Sequence, residues 1–431
     1  MQNNVLEGFY LELQRQPIPD PDKAKKQLYL EAAFVPSKLK HPEYWDLLDH
    51  FTTVSNGKQR GRRGLKAFKL HWSYFLCCLA RAYFQRRWLL VTLDNNEYAS
   101  NFYLKRDKLQ HTYVEEITKY LVENELVECR VGKQYKKQSF KTRIFPTPKL
   151  MHQLWSIVLD VEQEFKPPYV AVGVKANSVW KKIFGRLSSD HPDVIDMATI
   201  NNFMERRHWA LKAPITLKYS RDPFSAGRLI TPFQNLPKRT CRLRINTFLD
   251  GKPICEVDFN ANHLRLNLAV LSAEHAGDTP YEDIAECAGY DRNCPNARSK
   301  IKSFITMSMG AYTINKARGA FLDDGYIVAD FNRIHEGTLK RYPNVVLFNG
   351  WGSKAQSLEG DILKKVMIEG VGLGIASLPI HDALAVNHEH ADWAKEAMAR
   401  VWSDVVGGIG TKLKVDYPDN CKAKVNEMVM E

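Results

Sequence analysis

Two aspartates that adjoin apolar segments are the first candidates for chemistry in this chain. Asp258 lies near the end of the apolar run 254–259, and Asp382 lies between the apolar runs 378–380 and 383–386. Aspartate is depleted in strands, and a buried carboxylate must be paired or must hold a metal ion. A simpler interpretation of Asp258 is that its side chain helps to start the helix that follows it. The segment around Asp258 by itself leaves both interpretations open.

A pair of cations forms a second candidate group. Arg298 and Lys302 are four residues apart, and on a helix this spacing places both side chains on one face. Two cations on one face can contact the same triphosphate. The alternative is an ordinary solvated helix face, which is the usual outcome for two cations at this spacing.

The segments that would position these residues resemble, in their order, the family A DNA polymerases, the DNA polymerase I family. Motif A of that family reads D-Y-S-Q-I-E-L-R, and residues 258–265 here read D-F-N-A-N-H-L-R. Residues 298–302 resemble the R-x-x-x-K of motif B, residues 356–367 resemble the Q-G-T-A-A-D-L-M-K helix, and residues 378–386 resemble motif C. A Gly-Arg pair and a Gln-Asn-Leu-Pro run at 234–237 precede motif A, as in the family.

The resemblance implies nucleotidyl transfer in which a 3′-hydroxyl displaces pyrophosphate with the help of two Mg²⁺ ions, for which Mn²⁺ is a possible substitute. Asp258, Asp382 and the carbonyl of Phe259 would be the metal ligands, since Mg²⁺ prefers hard oxygen donors. Arg298 and Lys302 would neutralise the triphosphate. The residues implied to contact the primer and template are Arg228, Gln234, Gln356 and His381. A further residue, Arg265, is expected to pair with Asp382 or another carboxylate, or to form a core salt bridge.

Departures from the family pattern leave the substrate open. His263 occupies the position of the Glu that senses the sugar and excludes ribonucleotides, and Ala383 stands where motif C usually has a Glu. A DNA polymerase is the first expectation, and an RNA polymerase or primase with the same palm is the alternative. A DNA-binding replication initiator with an inactive palm and a metal-dependent nuclease are the remaining hypotheses.

Positive charge is concentrated in one part of the chain. The net charge is +12, and residues 51–150 hold 20 Lys and Arg against 8 Asp and Glu, which accounts for the whole excess. Such a block favours a polyanion-binding module, with nucleic acid as the expected partner. The basic, glycine-containing segment 58–64 is expected to be mobile or to face phosphates.

Within this block the patterning predicts helices near 71–87, 97–104 and 112–125, then a strand at 126–131 and a returning strand at 139–145. Three helices followed by a two-stranded ribbon are typical of a winged helix-turn-helix, with 112–125 as its recognition helix. The stretch resembles the winged-helix domains of replication initiators and phage regulators. A small helical module with a solvated hairpin is the alternative. The predicted DNA-binding residues are Arg130, Lys133, Tyr135, Lys136, Lys137, Lys141 and Arg143.

The expected fold class is α+β: a right-hand polymerase palm, built as an antiparallel sheet with helices, and helical fingers, preceded by a winged helix-turn-helix domain. The expected segments are a lead-in at 1–65, the winged helix at 66–150, a helical connecting or thumb-like region at 151–225 and the palm and fingers at 226–431. The expected partners are a DNA primer-template duplex and nucleoside triphosphates, in replication or repair of a phage, plasmid or mobile element.

The composition narrows the classes of protein to which this chain can belong. No apolar run reaches 18 residues and the first residues lack a signal-peptide core, which predicts a cytoplasmic protein without a membrane partner. The eight cysteines form no CxxC pair, so a zinc ribbon and a disulfide framework are not expected.

Overall fold

The structure is a computed structural model, and it describes residues 10–21, 27–30, 34–36, 42–57, 59–100, 108–132, 141–155, 161–176, 179–183, 187–220, 222, 226–239 and 241–419 of the 431-residue chain. The helices are α1 Pro42–Val54, α2 Arg62–Phe84, α3 Asn95–Ser100, α4 His111–Glu123, α5 Pro148–Leu154, α6 Pro192–Met204, α7 Asn262–Ser272, α8 Pro280–Cys287, α9 Pro295–Gly310, α10 Ile314–Asp323, α11 Val328–Arg341, α12 Gly352–Gly372 and α13 Ala391–Val406. The strands are β1 Leu28–Tyr29, β2 Phe34–Pro36, β3 Leu89–Val91, β4 Val127–Arg130, β5 Thr142–Pro146, β6 Val161–Gln163, β7 Val170–Ala176, β8 Val179–Ile183, β9 Thr216–Tyr219, β10 Arg228–Ile230, β11 Phe248–Leu249, β12 Lys252–Phe259, β13 Ser377–Ile380, β14 Ala383–Asn387 and β15 Leu413–Asp416.

The chain mixes helices and sheets and divides into two compact units. The first unit comprises Met1–Phe165, His208–Pro214 and Asn235–Asp250. The second comprises Lys166–Arg207, Ile215–Gln234 and Gly251–Glu431. These bounds differ from the four consecutive segments expected from the sequence, because the chain leaves each unit and returns to it.

The first unit is built around α2. Its apolar residues recur at helical spacing, and Trp72, Phe75 and Leu79 are fully buried. Trp72 stacks on Phe51 of α1 with ring centroids 4.9 Å apart and meets Tyr120 of α4 edge-on at 5.7 Å. Each buried aromatic or leucine side chain contributes roughly 1.5–3 kcal/mol, so α2 holds α1 and α4 in place.

A small sheet with the order β1-β3-β5-β4 completes this unit. The β3/β5 and β4/β5 pairs are antiparallel, with Leu89 opposite Ile144 and Val127 opposite Pro146. The predictions of a helix over 112–125 and of a strand followed by a returning strand are confirmed for the described residues. The predicted turn between the two strands falls mostly on residues 133–140, which lie outside the described residues.

The second unit begins with a sheet in the order β10-β9-β7-β8. The expected helical region at 151–225 is therefore largely wrong. Four strands, β6, β7, β8 and β9, lie within it, and β8 pairs with β7. The run Val-Ala-Val-Gly-Val at 170–174 combines alternation with β-branched residues, which favours a strand. Among the described residues of this region, α-helix is found at the end of α5 and in α6.

A second sheet of this unit contains β12, β13, β14 and β15. β12 lies between β14 and β15, and β13 pairs with the other edge of β14, all antiparallel. Ile254, Val257 and Leu384 are fully buried, so the sheet packs against a core to which α7, α12 and α13 contribute. The predicted strand at 254–259 and the helix that follows it are confirmed as β12 and α7.

Helices α8 to α11 form a further helical group in the second unit. Phe304 of α9, Phe321 of α10 and Phe331 of α11 are fully buried. Their ring centroids lie 5.0 to 6.4 Å apart. This aromatic cluster fixes α9, which carries Arg298 and Lys302.

A buried ion-pair network ties α6 to α12. The Lys364 ammonium contacts the Asp193 carboxylate and lies 3.4 Å from Asp196 and 3.3 Å from Asp361. Tyr219 of β9 donates to Asp193 at 2.6 Å. Burial alone would lower the pKa of Lys364, but its carboxylate partners raise it. The network therefore keeps Lys364 charged and orients α12.

None of the helices within the described residues combines the length and the apolarity that a membrane-spanning segment requires.

A close approach between two glycines sets the distance from α12 to β10. A Cβ atom on Gly360 would lie 1.9 Å from the carbonyl oxygen of Gly227. Two hydrogen bonds hold the same contact, from the Ala226 amide to Ser353 O at 3.2 Å and from the Gly227 amide to Ser357 Oγ at 3.2 Å. Only glycine at 360 permits this packing.

We expect Gly360→Ala to lower the free energy of unfolding by about 1–3 kcal/mol, because the added methyl must displace backbone. Gly372→Ala on the same helix is the matched control, since no atom lies within 4 Å of its added Cβ, and the change should be within about 1 kcal/mol of zero. Urea unfolding followed by circular dichroism measures both. Equal stability of the two variants would contradict the glycine contact.

Candidate active site

Strand pairing brings the two aspartates to adjacent positions. In the β12/β14 register Asp258 lies opposite Ala383, and the amide of Phe259 donates to the carbonyl of Asp382 at 3.5 Å. Asp382 belongs to the two-residue turn between β13 and β14. The residues come from segments more than a hundred positions apart, and the sheet places them side by side.

The surroundings of Asp382 raise the pKa of its carboxyl group. Burial, together with the negative charges of Glu359 and Asp258, raises the pKa of Asp382 to about 7. An ordinary aspartate has a pKa near 3.8, so the folded protein resists ionising this group. Such crowding of carboxylates favours the binding of a cation.

A buried glutamate that sequence reasoning did not single out lies beside the pair. Glu359 of α12 is 4% exposed. Its carboxylate accepts from Asn262 Nδ2 at 3.3 Å and lies 3.2 Å from His263 Nε2. Trp402 in turn donates to Asn262 Oδ1 at 3.0 Å. Glu359 follows Gln356 by three residues on the same helix, and this helical spacing was the signal that could have pointed to it.

This pairing controls the charge of His263. Burial alone would lower the pKa of His263, but the hydrogen bond and negative charge of Glu359 outweigh it, and the pKa is raised. The ring is thereby held in one orientation at the first turn of α7. The imidazole of His263, which was expected to lie at the sugar site, is therefore anchored by a carboxylate.

The turn between β12 and α7 is clamped by Arg265. Its guanidinium donates to the carbonyls of Asn260 at 2.7 Å and Asp278 at 3.2 Å, and the residue is 2% exposed. These two bonds satisfy backbone carbonyls, in contrast to the carboxylate partner expected from the sequence. Ala261 within the turn has φ of 51°, a conformation that costs energy for a residue with a side chain. Arg265 stabilises the turn that follows Asp258.

Arg228 and His381 lie together at the edge of the site. Arg228 Nη2 is 3.3 Å from His381 Nδ1. His381 is exposed and has φ of 55°. The other two residues expected near primer and template differ in exposure. Gln234 is buried in a short 3-10 helix, Pro232–Asn235, and Gln356 is half-buried on α12.

The cation pair lies on α9 as expected. Lys302 is exposed, whereas Arg298 forms an ion pair with Glu282 at 2.8 Å. The Arg298 guanidinium also lies 5.4 Å from the ring centroid of Tyr281. Burial raises the pKa of Tyr281, and the charges of both Arg298 and Asp382 act on that hydroxyl. Tyr281, which the sequence did not indicate, therefore lies within electrostatic range of both groups.

The donor set fits a magnesium site of the kind that shares its ligands with a substrate. Within the part of the chain that the structure describes, no three His, Cys, Asp or Glu side chains are grouped around one metal position. Mg²⁺ is usually held by one or two carboxylates, with water and phosphate oxygens filling the other positions. Asp258 and Asp382 meet that requirement, and the backbone carbonyl of Phe259 adds a hard oxygen next to them.

The predicted DNA-binding residues belong to the first unit. Arg130 is exposed, Lys141 forms an ion pair with Glu97, and Arg143 is 8% exposed and donates to the Pro21 carbonyl at 2.7 Å. The other predicted residues lie outside the described residues; they are Lys133, Tyr135, Lys136 and Lys137.

Comparisons with known proteins give one likeness to report. No protein-family model and no curated protein matches the sequence. Among solved structures, the chain is similar to the POL domain of Pol1 from M. smegmatis, solved in complex with a DNA primer-template and dNTP. The identity is 12%, the TM-score is 0.32, and the match covers 96% of this chain and 69% of that one.

We expect Asp382→Asn to stabilise the metal-free protein at pH 8. The raised pKa means that the folded state binds this proton more tightly than the unfolded state, so stability is lost as pH rises from about 4 through about 7. The shift corresponds to at most about 4 kcal/mol, and solvent screening at this partly exposed side chain reduces it to about 1–2 kcal/mol.

Urea unfolding at pH 4 and pH 8 in a chelator tests this, with Asp323→Asn, an exposed aspartate of α10, as control. Added Mg²⁺ should stabilise the unmodified protein at pH 8 and should not stabilise Asp382→Asn. A stability difference that is the same at both pH values would show that Asp382 is not the strained group.

Proposed function

We propose that this protein is a template-dependent nucleotidyltransferase, and specifically a DNA-directed DNA polymerase that extends a primer. The observation that carries the proposal is that Asp258, near the end of β12, lies next to Asp382 in the turn that precedes the paired strand β14. Two carboxylates so placed are the protein ligands that phosphoryl transfer to a hydroxyl requires. Arg298 lies 5.4 Å from the ring of Tyr281, and Asp382 is within electrostatic range of the same hydroxyl, which supports a triphosphate site between α9 and the aspartates.

In this proposal Asp258, Asp382 and the carbonyl of Phe259 hold Mg²⁺, with Mn²⁺ as a substitute. When bound, the metal would lower the pKa of the primer hydroxyl and offset the charge of the departing pyrophosphate. Arg298 and Lys302 contact the phosphates from one face of α9, and preorganised cations at that position lower the barrier because charge develops there in the transition state.

The residues at the edge of the site contact the nucleic acid. Arg228 donates to Nδ1 of His381, the residue before Asp382, and the other N–H groups of its guanidinium suit the sugar-phosphate backbone at a primer end. Gln234 and Gln356 are proposed to contact the duplex next to it. In the vocabulary of polymerases, the sheet from β12 to β15 is the palm and the helices α8 to α11 are the fingers.

The first unit is proposed to be a winged helix-turn-helix that binds DNA. Helices α2, α3 and α4 followed by β4 and β5 support this assignment, since β3, β4 and β5 form the small antiparallel sheet that the motif requires. We further infer a family A type of polymerase in the cytoplasm, serving replication or repair of a phage, plasmid or mobile element, from the sequence motifs and from the resemblance of the first unit to initiator and phage-regulator domains.

A second candidate, an RNA polymerase or primase, is favoured by one observation. The residue at the sugar-sensing position is His263 anchored by Glu359, and this arrangement replaces a free carboxylate by an imidazole. Discrimination between deoxyribose and ribose would then depend on the position of the ring. Both candidates share the same pair of aspartates and are separated by their nucleotide preference.

Primer extension tests the proposal directly. The protein is incubated with a primed template, Mg²⁺ or Mn²⁺ and either dNTPs or rNTPs, beside Asp258→Ala, Asp382→Ala and the control Asp323→Ala. Loss of either site aspartate should lower the rate by about two to three orders of magnitude or more, and the control should extend normally. Extension with dNTPs alone supports the DNA polymerase, and RNA products made without a primer support the primase.

Extension by none of the proteins, with tight duplex binding retained, would exclude both enzymes and favour a replication initiator whose palm is inactive. Cleavage of the template, lost in the same two aspartate variants, would instead identify a nuclease.

Glu359→Gln tests whether His263 discriminates between deoxyribose and ribose. The amide removes the negative charge that acts on His263 and weakens the contact that holds the ring, so the ratio of dNTP to rNTP incorporation should change by about tenfold, the effect of one interaction worth about 1.4 kcal/mol. His263→Glu should raise the preference for dNTPs. Single-nucleotide incorporation rates measure both, and an unchanged ratio in both variants would remove His263 from the sugar site.

A further inference from the structure

The outward face of α4, the helix expected to read DNA, carries little positive charge. Its exposed residues include Glu115, Glu123 and Lys119, so two acids face one cation. Lys119 lies 3.7 Å from Glu123, and Glu115 lies 3.9 Å from His111. A face with this charge is poorly suited to a groove lined by phosphates.

The described residues of the hairpin offer few free cations. Lys141 is engaged by Glu97, and Arg143 is buried against the Pro21 carbonyl. Arg130 remains exposed. A further group of exposed cations lies elsewhere among the described residues of the first unit.

These exposed cations lie at the start of α2. Residues 51–93 contain nine Lys and Arg and no Asp or Glu. Arg62, Arg63 and Lys66 are exposed and have no acidic partner among the residues that the structure describes. Cations in the first turn of a helix are disfavoured by its dipole, and the first turn of α2 holds no acidic residue to offset them.

Arg60 anchors this segment beside α4. Its guanidinium forms an ion pair with Glu116 of α4 and lies 4.0 Å over the ring centroid of Phe68. A Cβ on Gly64 would lie 3.6 Å from Tyr113 Oη of α4. The segment that carries the exposed cations is therefore held in a defined place, and Glu116 is neutralised within the fold.

We propose that the first unit binds the phosphate backbone of duplex DNA through Arg62, Arg63 and Lys66 at the start of α2, and that the outward face of α4 does not enter a groove. Contacts confined to phosphates position a protein without specifying sequence. The first unit then holds any duplex with little preference for sequence. The choice of duplex DNA as the ligand rests on the proposed function of the second unit.

The test measures binding of a labelled duplex to the full chain over a series of salt concentrations, without nucleotides. The main variant combines Arg62→Gln, Arg63→Gln and Lys66→Gln, since glutamine favours helices and these side chains are exposed. We expect the slope of the logarithm of the binding constant against the logarithm of the salt concentration to become less steep by about two to three. The dissociation constant at low salt should rise by about tenfold or more.

Two matched variants on α4 separate the two surfaces. Lys119→Gln removes one exposed cation and should leave the salt dependence unchanged. Glu115→Gln combined with Glu123→Gln should change affinity by less than about twofold, whereas a helix inside the groove would bind several times more tightly once its acids are removed. An unchanged salt dependence in the α2 variant, or a clear gain in the α4 acid variant, would overturn the proposal.

The outcome is independent of catalysis. Repeating the binding series in the Asp258→Ala background shows whether the α2 surface acts when the second unit is inactive. Failure of primer extension with the salt effect retained would count against the proposed enzyme alone, and normal extension with no salt effect would count against the α2 surface alone.

Discussion

The pairing of β12 with β14 is the constraint on which the candidate site depends. It places two carboxylates at adjacent positions, and like charges at close range in a crowded environment oppose ionisation. The raised pKa of Asp382 results from its burial and from the negative charges of Glu359 and Asp258. A protein gains no stability from such an arrangement, so its persistence at the end of a well-packed sheet points to ligand binding. Strain of this kind is concentrated at functional sites.

The surroundings of the pair limit how the site can relax. The buried ion pairs of Lys364 and the contact of Gly360 with Gly227 fix α12, and α12 supplies Glu359. Glu359 in turn accepts hydrogen bonds from Asn262 and approaches His263, so the first turn of α7 cannot rotate freely. Arg265 holds the turn between β12 and α7 from the other side. Preorganisation of this type is what allows charged groups to act without first rearranging.

The cations of the first unit divide into those that are paired within the fold and those that face solvent. Arg60 and Glu116 neutralise each other inside the fold, whereas Arg62, Arg63 and Lys66 face solvent without acidic partners among the described residues. The helix dipole disfavours cations in the first turn of α2, but exposed cations add long-range attraction for a polyanion. Net charge alone located the basic block, but only the contacts of individual side chains separated free cations from engaged ones.

The sequence by itself determined the local elements with strong patterns and the order of the segments that resemble polymerase motifs. Apolar runs ended by Asp258 and Asp382, the helical spacing of Arg298 and Lys302, and the helix-strand-strand pattern of residues 112–145 are local properties. The region at 151–225 was misjudged where short apolar runs fit a strand as well as a helix. Only the tertiary structure decided that Asp258 adjoins Asp382, that Glu359 holds His263, and that Arg143 is turned inward. Each of these depends on residues distant in sequence, whose approach is set by strand register and packing, and no periodicity in the chain encodes such distances.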